Sequence, residues 1–530
     1  ILIYYMKKLL ISFIIIQLSI ISIGQSKPNI IWLVCEDQSP FFSFYGDNNA
    51  YTPFLNQLAK DGIVYDNCFT TSPVCAPSRS SIITGMYTTT LGTHNMRSYK
   101  KSENEKINTN NQLPFYSAVP KKDCQFFTEI LRSNGYYCTN NSKEDYNMLM
   151  SPLAWDGSNI TAHWRNRKEN QPFFAVFNFS TTHESKLWTK KMSFSKNEIN
   201  SLQLPIIFPD NYTIKKDFLT NYKNIELLDK KIGEIIQQLK EDGLYDNTII
   251  FFYSDHGGPF PRYKRSIYDT GIKCPLIIKW IEKSEIQRNN QMISFIDFAP
   301  TILDAVGLKN PNEIEGLSFY KKDKRKYIFA ATDRFDESIT KRRCVRDKDF
   351  KLIINYDTIT PIYKPIKYRS QMATMEILDS LNNINKSNEL FKRWYTPPTS
   401  TYELYNVNKD PYEEKNLYLD SNYMRTFKLL KNKLDNWINS SDYGNLTEKD
   451  ILKQMWPNKT PPKLNPPEIK NINKGIIITT NNGLVSVGWR NQNESTWKIY
   501  KKDDVIYPND SFEVIIFKIG YEPLRKDFEI

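Results

Sequence analysis

The amino-acid sequence predicts an α/β sandwich with a mostly parallel central sheet, a smaller C-terminal α+β subdomain and an appended small all-β module. Three observations support this prediction. Continuous apolar runs of strand length, typical of strands buried on both faces, alternate with long helical patterns. Polar residues follow these runs directly, at the edge where open α/β sheets bind ligands. With 530 residues, the chain also exceeds the roughly 250–300 residues at which one hydrophobic core stops growing.

Four apolar runs and two helices make up the predicted first unit. Thr52 is expected to cap a helix that begins at Pro53, because proline suits the first helical position. Residues 217–243 place apolar side chains at helical spacing and end at Gly243, a residue type that commonly terminates helices. The predicted buried strands are Asn29–Val34, Pro172–Phe179, Asn247–Tyr253 and Pro275–Lys279.

A second unit is expected to begin near residue 325. It would contain strands at Tyr327–Ala331, Lys351–Ile354 and Glu403–Asn406, and a helix near residues 422–439. A proline-rich stretch at residues 457–467 then predicts a linker. Beyond it, short alternating runs and an Asn-Gly turn predict the β module; its strands are Ile476–Thr480, Leu484–Trp489, Trp497–Tyr500 and Phe512–Ile519.

The N-terminal residues predict export. A charged Met-Lys-Lys at residues 6–8 precedes the apolar run Leu9–Ile23 and then small and polar residues, the pattern of a signal peptide that starts at Met6. No later apolar run is long enough to span a bilayer, so we expect a periplasmic or secreted protein. The predicted divisions are a signal peptide at 6–25, a catalytic domain at 27–325, a C-terminal subdomain at 326–456, a linker at 457–470 and a β module at 471–530.

Charge and cysteine content restrict the partners only weakly. A formal net charge of +12 attracts polyanions such as nucleic acid, anionic lipid or sulfated polysaccharide, and export argues against nucleic acid. Lysine is frequent throughout the chain and no long basic block stands out. The seven cysteines are scattered and contain no C-x-x-C zinc pair. Export permits disulfides, so disulfides and buried free thiols both remain open.

The most informative motif is Cys-Ala-Pro-Ser-Arg at residues 75–79, followed by Ile83-Thr84-Gly85. From the residues alone, a thiolate near an arginine is a plausible nucleophile. Three further groups lie at or near predicted strand ends. Adjacent carboxylates at residues 36 and 37 suit a hard cation, which prefers several oxygen ligands. The others are Asp255-His256-Gly257-Gly258, and Lys143 together with His183.

In combination, these groups resemble the type I sulfatases of the alkaline phosphatase superfamily across roughly residues 28–450. The sequence resembles bacterial exported polysaccharide sulfatases and, more distantly, N-sulfoglucosamine sulfohydrolases. The stretches at residues 180–185 and 259–265 fit the second of these branches. The resemblance implies an alkaline-phosphatase-like fold and conversion of Cys75 to Cα-formylglycine (3-oxoalanine). An aldehyde at this position would hydrate to a geminal diol that attacks sulfur. A formylglycine-generating maturase would then be a partner during biosynthesis.

The resemblance also implies a metal site that holds Ca²⁺, with Mg²⁺ as the alternative. Glu36 stands where the family usually has Asp, and His256 where many members have Asn. Imidazole is a poorer Ca²⁺ ligand than an oxygen donor. The implied ligands are Glu36, Asp37, Cys75, Asp255 and His256.

Roles for the remaining residues follow from the same resemblance. Arg79 would fix the diol, Lys143 and Lys264 would grip the sulfate, and His183 would protonate the leaving oxygen. Asp145 stands where many members have the histidine that acts as base. We therefore expect His94 to be the base, with Asp145 as the alternative. The expected substrate-binding residues are Lys264, Arg97, Asp145 and Arg334.

The predicted function is hydrolysis of sulfate esters on a sulfated polysaccharide or oligosaccharide. Two alternatives belong to other classes. One is an inactive protein that binds sulfated glycans with Cys75 unmodified. The other is a phosphohydrolase of the same superfamily, whose members generally use Ser or Thr and often two zinc ions; the motif at residues 75–79 and the presence of only four histidines argue against it.

Overall fold

A computed structural model describes residues 27–99, 108–190, 192–321, 325–384, 389–472, 475–509 and 511–529. The predicted signal peptide lies outside these residues. Within them, no helix has both the length and the apolar composition needed to cross a membrane.

The central sheet has nine strands, and its middle is parallel as predicted. The order is β4-β3-β5-β1-β6-β8-β2-β7, with β9 beside β2. Strands β4 to β6 of this order run parallel, whereas β8 runs antiparallel to both β6 and β2. The strands are β1 (Asn29–Cys35), β2 (Ile63–Phe69), β3 (Tyr137–Asn141), β4 (Gly157–Ser158), β5 (Phe173–Phe179), β6 (Thr248–Ser254), β7 (Lys273–Cys274), β8 (Leu276–Lys279) and β9 (Arg288–Ser294).

Strand β1 shows why its sequence is apolar throughout. Ile30 and Trp32 pack into the core on one face of the sheet, while Ile31 and Leu33 pack into the core on the other. Side chains alternate along a strand, so a strand covered on both faces needs apolar residues at every position. This arrangement confirms the predicted α/β sandwich.

Helices cover both faces of the central sheet. The longest, Tyr212–Glu241, begins five residues before the predicted start because the side chain of Asn211 caps it, accepting hydrogen bonds from two backbone amides. It ends before Gly243, which adopts the left-handed conformation expected there. The other helices of this unit are Pro53–Asp61, Cys75–Thr84, Thr88–Leu91, Phe127–Ser133, Lys186–Thr189, Lys196–Ser201, Asp269–Ile272 and Phe298–Ala305.

A second, antiparallel sheet of four strands confirms the α+β character of the next unit. Its order is β10-β11-β12-β13, and helix Met424–Ser441 packs on it through Leu430 and Leu434. The strands are β10 (Ile328–Phe335), β11 (Ser338–Arg346), β12 (Phe350–Asn355) and β13 (Tyr402–Asn406). Three helices were not predicted: Ala373–Asn383, Glu389–Trp394 and Glu448–Met455.

Two small antiparallel sheets follow, and the larger of them, with four strands, shares the core of the first unit. Phe517 and Ile519 belong to the same hydrophobic cluster as β1, and the Ser486 hydroxyl donates a hydrogen bond to buried Glu129. Strand β14 occupies residues that include the end of the predicted linker. The sheets comprise β14 (Glu468–Ile472) with β15 (Gly475–Thr479), and, in the order β17-β16-β18-β19, β16 (Ser486–Asn491), β17 (Lys498–Tyr500), β18 (Ser511–Phe517) and β19 (Leu524–Glu529).

Candidate active site

The sheet register brings two predicted residue pairs together. Cys35 at the end of β1 aligns with Ser254 at the end of β6, and the strands are parallel neighbours. The two residues that follow each strand therefore emerge side by side at the C-terminal edge of the sheet. They are Glu36, Asp37, Asp255 and His256.

Cys75 faces this edge from the N-terminus of helix Cys75–Thr84. Its Sγ lies 3.2 Å from His256 Nε2 and 3.9 Å from Asp37 Oδ1, and the residue is 1% exposed. Burial alone would raise the pKa of the thiol, but the charges of Lys264 and Lys143 lower it to about 6. The helix N-terminus favours negative charge in the same way. This position therefore stabilises an ionised nucleophile.

The floor of the site is rich in buried oxygen donors. Asp37, Cys75, Asp255 and His256 each bring a ligand atom within 4.8 Å of the others, as do Glu36, Asp37, Cys75 and His183. Three buried carboxylates so close together are costly without cations to compensate them. The carboxylates suit a hard divalent cation. Four of the expected ligands, Asp37, Cys75, Asp255 and His256, fit one site, whereas Glu36 groups with His183 and not with Asp255 and His256.

His256 is oriented to act as a ligand through one nitrogen. Its Nδ1 lies 2.9 Å from its neighbour's carbonyl, Gly257 O, and an N–H at Nδ1 would donate to that oxygen. In that tautomer of the neutral ring the lone pair is on Nε2, which lies 3.2 Å from Cys75 Sγ and 3.1 Å from Asp37 Oδ1. Burial would lower the pKa of His256, but the charges of Asp255, Cys75 and Asp37 raise it to about 10, so a bound cation would have to displace a proton from this nitrogen. A backbone acceptor that fixes the tautomer in this way is typical of metal-bound histidines.

Three cations surround the carboxylates and restrain them. The Arg79 Nε and Nη2 atoms each lie 3.0 Å from Asp255 Oδ2. Lys143 Nζ lies 2.7 Å from Glu36 Oε2, and Lys264 Nζ lies 2.8 Å from Asp37 Oδ2. Each predicted cation thus has a partner that holds it at the site, which preorganises positive charge around residue 75.

A more exposed rim stands above this floor. The side chains of Lys143, Asp145 and His183 are 26%, 21% and 17% exposed, and Arg97 is exposed. Burial and Lys264 lower the pKa of His183, but the Asp37 carboxylate and Cys75 together act against them, and the net effect raises the pKa. For Asp145, burial would raise the pKa, but Lys143 and Arg97 lower it. At the opening, the protonated form of His183 and the ionised form of Asp145 are therefore favoured.

Backbone conformation marks the same residues. Asp37, Arg97, Asp145 and Arg265 have φ values of 55°, 55°, 47° and 69°. Non-glycine residues rarely adopt this left-handed region, and residues that do so cluster at functional sites. At this site, unfavourable backbone conformations accompany the side-chain orientations that bring the charged groups together.

Two predicted residues have their contacts elsewhere. The His94 ring packs 5.9 Å from the Tyr443 ring and is buried. Burial lowers its pKa, and the charges that act on it belong to the second sheet and the segment after helix Met424–Ser441. Arg334 lies in strand β10, not in a loop, where it forms a two-pronged ion pair with Glu448. These contacts do not support the expected roles of His94 as base or Arg334 as a substrate ligand.

Sequence reasoning missed several residues that complete the site. Glu184 is buried and pairs with Lys264 at 3.0 Å and with both terminal nitrogens of Arg265. Asn178 accepts a 2.6 Å hydrogen bond from Arg79 Nη1. Signals for them existed, since Glu184 and Arg265 directly follow predicted residues, and Asn178 is the polar exception in the apolar strand β5.

All seven cysteines of the chain are buried free thiols, which decides between the two alternatives left open. Only two of the four histidines, His183 and His256, appear in the ligand groups found among the described residues. A set of mainly oxygen donors is a poor match for the two zinc ions of the phosphohydrolase alternative.

The chain matches two family models. The model described as Sulfatase covers residues 28–308, and the one described as N-sulphoglucosamine sulphohydrolase, C-terminal, covers residues 260–396. Together they include every predicted site residue. The second match supports the more distant resemblance expected from the residues around His183 and Lys264.

Relatives and solved structures agree with these matches. An ulvan-active sulfatase of Formosa agariphila is 38% identical over 94% of this chain and 90% of its own, and human N-sulphoglucosamine sulphohydrolase is 23% identical over 79% and 92%. A structure described as a complex with its substrate D-glucosamine-2-N,6-O-disulfate has a TM-score of 0.54 at 18% identity, covering 79% of this chain and 100% of its own. The fold is thus shared with solved sulfatases, and the chain belongs to the sulfatase family of sulfuric ester hydrolases.

Proposed function

We propose that this protein hydrolyses sulfate esters of a sulfated polysaccharide through a formylglycine at position 75 and a divalent cation. The observation that supports this most directly is the convergence of buried carboxylates and lysines on Cys75 Sγ. Sγ stands where one oxygen of the hydrated aldehyde would lie. The electrostatic field that lowers the pKa of a thiol there would also favour an ionised oxygen.

Conversion of Cys75 would have to precede folding. The residue is buried at the start of a helix and beneath the rim of the site, so a maturase could not reach it in the folded chain. An unfolded chain that is still being exported would present it. We therefore propose a formylglycine-generating enzyme as a transient partner, and the charged and apolar residues at 6–23 support export.

The first chemical step is transfer of the sulfuryl group to residue 75. One diol oxygen, ionised in the field of Lys143 and Lys264, forms a bond to sulfur, and the bond between sulfur and the sugar oxygen breaks. The departing oxygen takes a proton from His183. The same two lysines would neutralise the sulfate oxygens as charge builds on them, while Arg79 keeps Asp255 in place.

The second step regenerates the aldehyde. The remaining hydroxyl of residue 75 gives its proton to a base, the bond between carbon and the sulfated oxygen breaks, and sulfate leaves. Water then adds to the aldehyde to restore the diol. Between the two candidates, we propose Asp145 as the base, because it faces the opening 3.6 Å from Lys143 while His94 is enclosed beside Tyr443.

The cation site would use the buried oxygen donors of the floor. Glu36, Asp37, Asp255 and His256 would hold Ca²⁺, or Mg²⁺ as the alternative, together with residue 75. Such an ion supplies charge stabilisation and lowers the pKa of a coordinated hydroxyl. Elemental analysis of the purified protein should give one Ca²⁺ or Mg²⁺ per chain, whereas two zinc ions per chain would contradict this assignment.

The proposed substrate is a polysaccharide of the ulvan type, because the relative with 94% coverage of this chain is described as ulvan-active. Next to His183, the half-exposed ring of Tyr368 offers a face on which a sugar could stack; the ring centroids lie 6.2 Å apart. The test is release of inorganic sulfate from ulvan by the matured protein. A dead binding protein would bind ulvan and release none.

A further inference from the structure

A cavity lies behind the sulfate-gripping residues. Its volume is about 30 Å³, and its wall includes Lys264 and Arg265, which also belong to the active site. A water needs roughly 10–15 Å³ of such space, so the cavity has room for about two waters or the oxygens of one small anionic group. It lies partly beneath the segment that carries Tyr368, whose ring stands beside His183.

The lining of this cavity is strongly basic. None of its described lining residues is acidic, and five carry positive charge: Lys264, Arg265, Arg342, Lys364 and Arg369. The first four have carboxylate partners outside the lining; these are Asp37, Glu184, Glu403 and Asp357, at 2.8, 2.8, 2.6 and 3.3 Å respectively.

Arg369 is the exception. Among the described residues, no carboxylate lies within ion-pair distance of its guanidinium, although the side chain is buried and the residue only 5% exposed. Its Nη2 donates a 3.3 Å hydrogen bond to the carbonyl of Lys364, and its Nε finds no hydrogen-bond partner in the part of the chain that the structure describes. A buried cation without a counter-ion is costly.

Two aromatic rings hold this guanidinium in position. It lies 4.8 Å from the Trp394 ring centroid and 5.1 Å from that of Tyr363. Burial and the nearby Arg265 disfavour its charged form and lower its pKa to about 10, so it stays protonated at neutral pH. A planar donor group that is fixed, charged and without a carboxylate partner among the described residues is suited to a two-pronged contact with an anion.

We propose that this cavity is an anion subsite, in which Arg369 binds a second anionic group of the carbohydrate while its scissile sulfate occupies the site at residue 75. The group is a carboxylate or a second sulfate, both of which match the guanidinium geometry. The inference rests on the proposed carbohydrate sulfatase function and extends it: the enzyme selects sugars by a charge other than the one it removes.

The test separates binding from turnover. In a Cys75→Ala background, which cannot react, calorimetry would measure Kd for three sulfated disaccharides with the same scissile sulfate. One has a neutral second sugar, one a uronic acid, and one a second sulfate. Adding Arg369→Gln should weaken binding of at least one doubly anionic ligand by at least about 30-fold, and binding of the neutral one by less than about threefold. The arm with the larger loss identifies the anionic group.

Controls keep the outcome clear. Arg490→Gln removes another arginine stacked on an aromatic ring, Trp497, in the last sheet, and should change no Kd. Should Arg369→Gln lower the yield of folded protein, Arg369→Lys retains the charge but loses the planar fork, and it should restore part of the preference. Equal weakening for all three ligands, or no preference for the doubly anionic ones before substitution, would overturn the subsite. Failure of the matured enzyme, converted at position 75, to release sulfate from any of the three ligands would instead count against the proposed function.

Discussion

Two clusters of buried charge differ in how their charges are arranged. At the strand ends, carboxylates and lysines converge on one atom, Cys75 Sγ, beneath a rim that includes partly exposed His183. Around Arg343, at the joint between the second sheet and the segment that follows helix Met424–Ser441, the guanidinium pairs with Asp333 and Asp442 and is enclosed. The first arrangement leaves charge available to a ligand, and the second uses its charge to join two elements.

The comparison explains the position of His94. Both clusters contain a buried histidine and several carboxylates, so composition alone does not distinguish them. His256 bridges Asp37 and Cys75, whereas His94 is enclosed with Asp333 and Asp442. The cluster around Cys75 differs from the cluster around Arg343 because its charges surround one reactive atom and lie beneath an opening to solvent.

Replacing Cys75 should have the largest effect on turnover. Cys75→Ala removes the group that becomes the nucleophile, and loss of a nucleophile typically costs on the order of 10⁶-fold. We expect sulfate release from ulvan to fall by at least about 10⁴-fold, while the thermal midpoint stays within a few degrees. If purified Cys75→Ala protein retains activity, residue 75 is not the nucleophile, and the charges around it do not serve catalysis in the way proposed.

The two candidate bases lie one in each cluster. Asp145→Asn should slow turnover by about 10²–10⁴-fold, the usual contribution of a general base, and a covalent sulfate adduct should appear in the intact mass. His94→Asn is the matched change in the joint, and we expect near-normal turnover. If His94→Asn traps the adduct and Asp145→Asn does not, the roles are reversed.

A smaller loss is expected when one positive charge is removed from the rim. Lys143→Met keeps the length of the side chain but cannot neutralise developing charge, so kcat should fall by about 10²–10³-fold. Lys122→Met is the control, because Lys122 is an exposed lysine that pairs with Glu315. Similar kcat losses in both variants would mean that the effect is not local to the site.

The joint should respond in stability and not in catalysis. Asp442→Asn leaves the Arg343 guanidinium without one of its two carboxylates, and breaking such a buried pair costs about 3–5 kcal/mol of unfolding free energy. Urea denaturation would measure this loss, while kcat per folded molecule should change by less than about threefold. A large fall in kcat with unchanged stability would place the joint in the catalytic machinery.

Part of this site was predictable because Glu36, Asp37, Asp255 and His256 follow strand ends, whereas Cys75, Arg79 and Lys264 were identified from motifs that resemble the family. Apolar runs located β1, β5 and β6, and the polar residues after them followed from that alone. The sequence marks Asn178 as a polar exception and Glu184 as the neighbour of His183, but it does not show that they contact Arg79 and Lys264, because those contacts depend on the fold. The structure does not support His94 as the base. The sequence shows that a histidine is present, but not which charged groups surround it in the fold. Short elements such as β14 and β19 were missed because most of their side chains are exposed, so no buried apolar run marks them.

The most direct measurement relates activity to the chemistry of residue 75. Mass spectrometry of the peptide that contains it would give the fraction converted to formylglycine in preparations made with and without a maturase. Sulfate release from ulvan per molecule should rise in proportion to that fraction and extrapolate to zero for unconverted protein. Full activity in protein that carries only Cys75 would contradict the account.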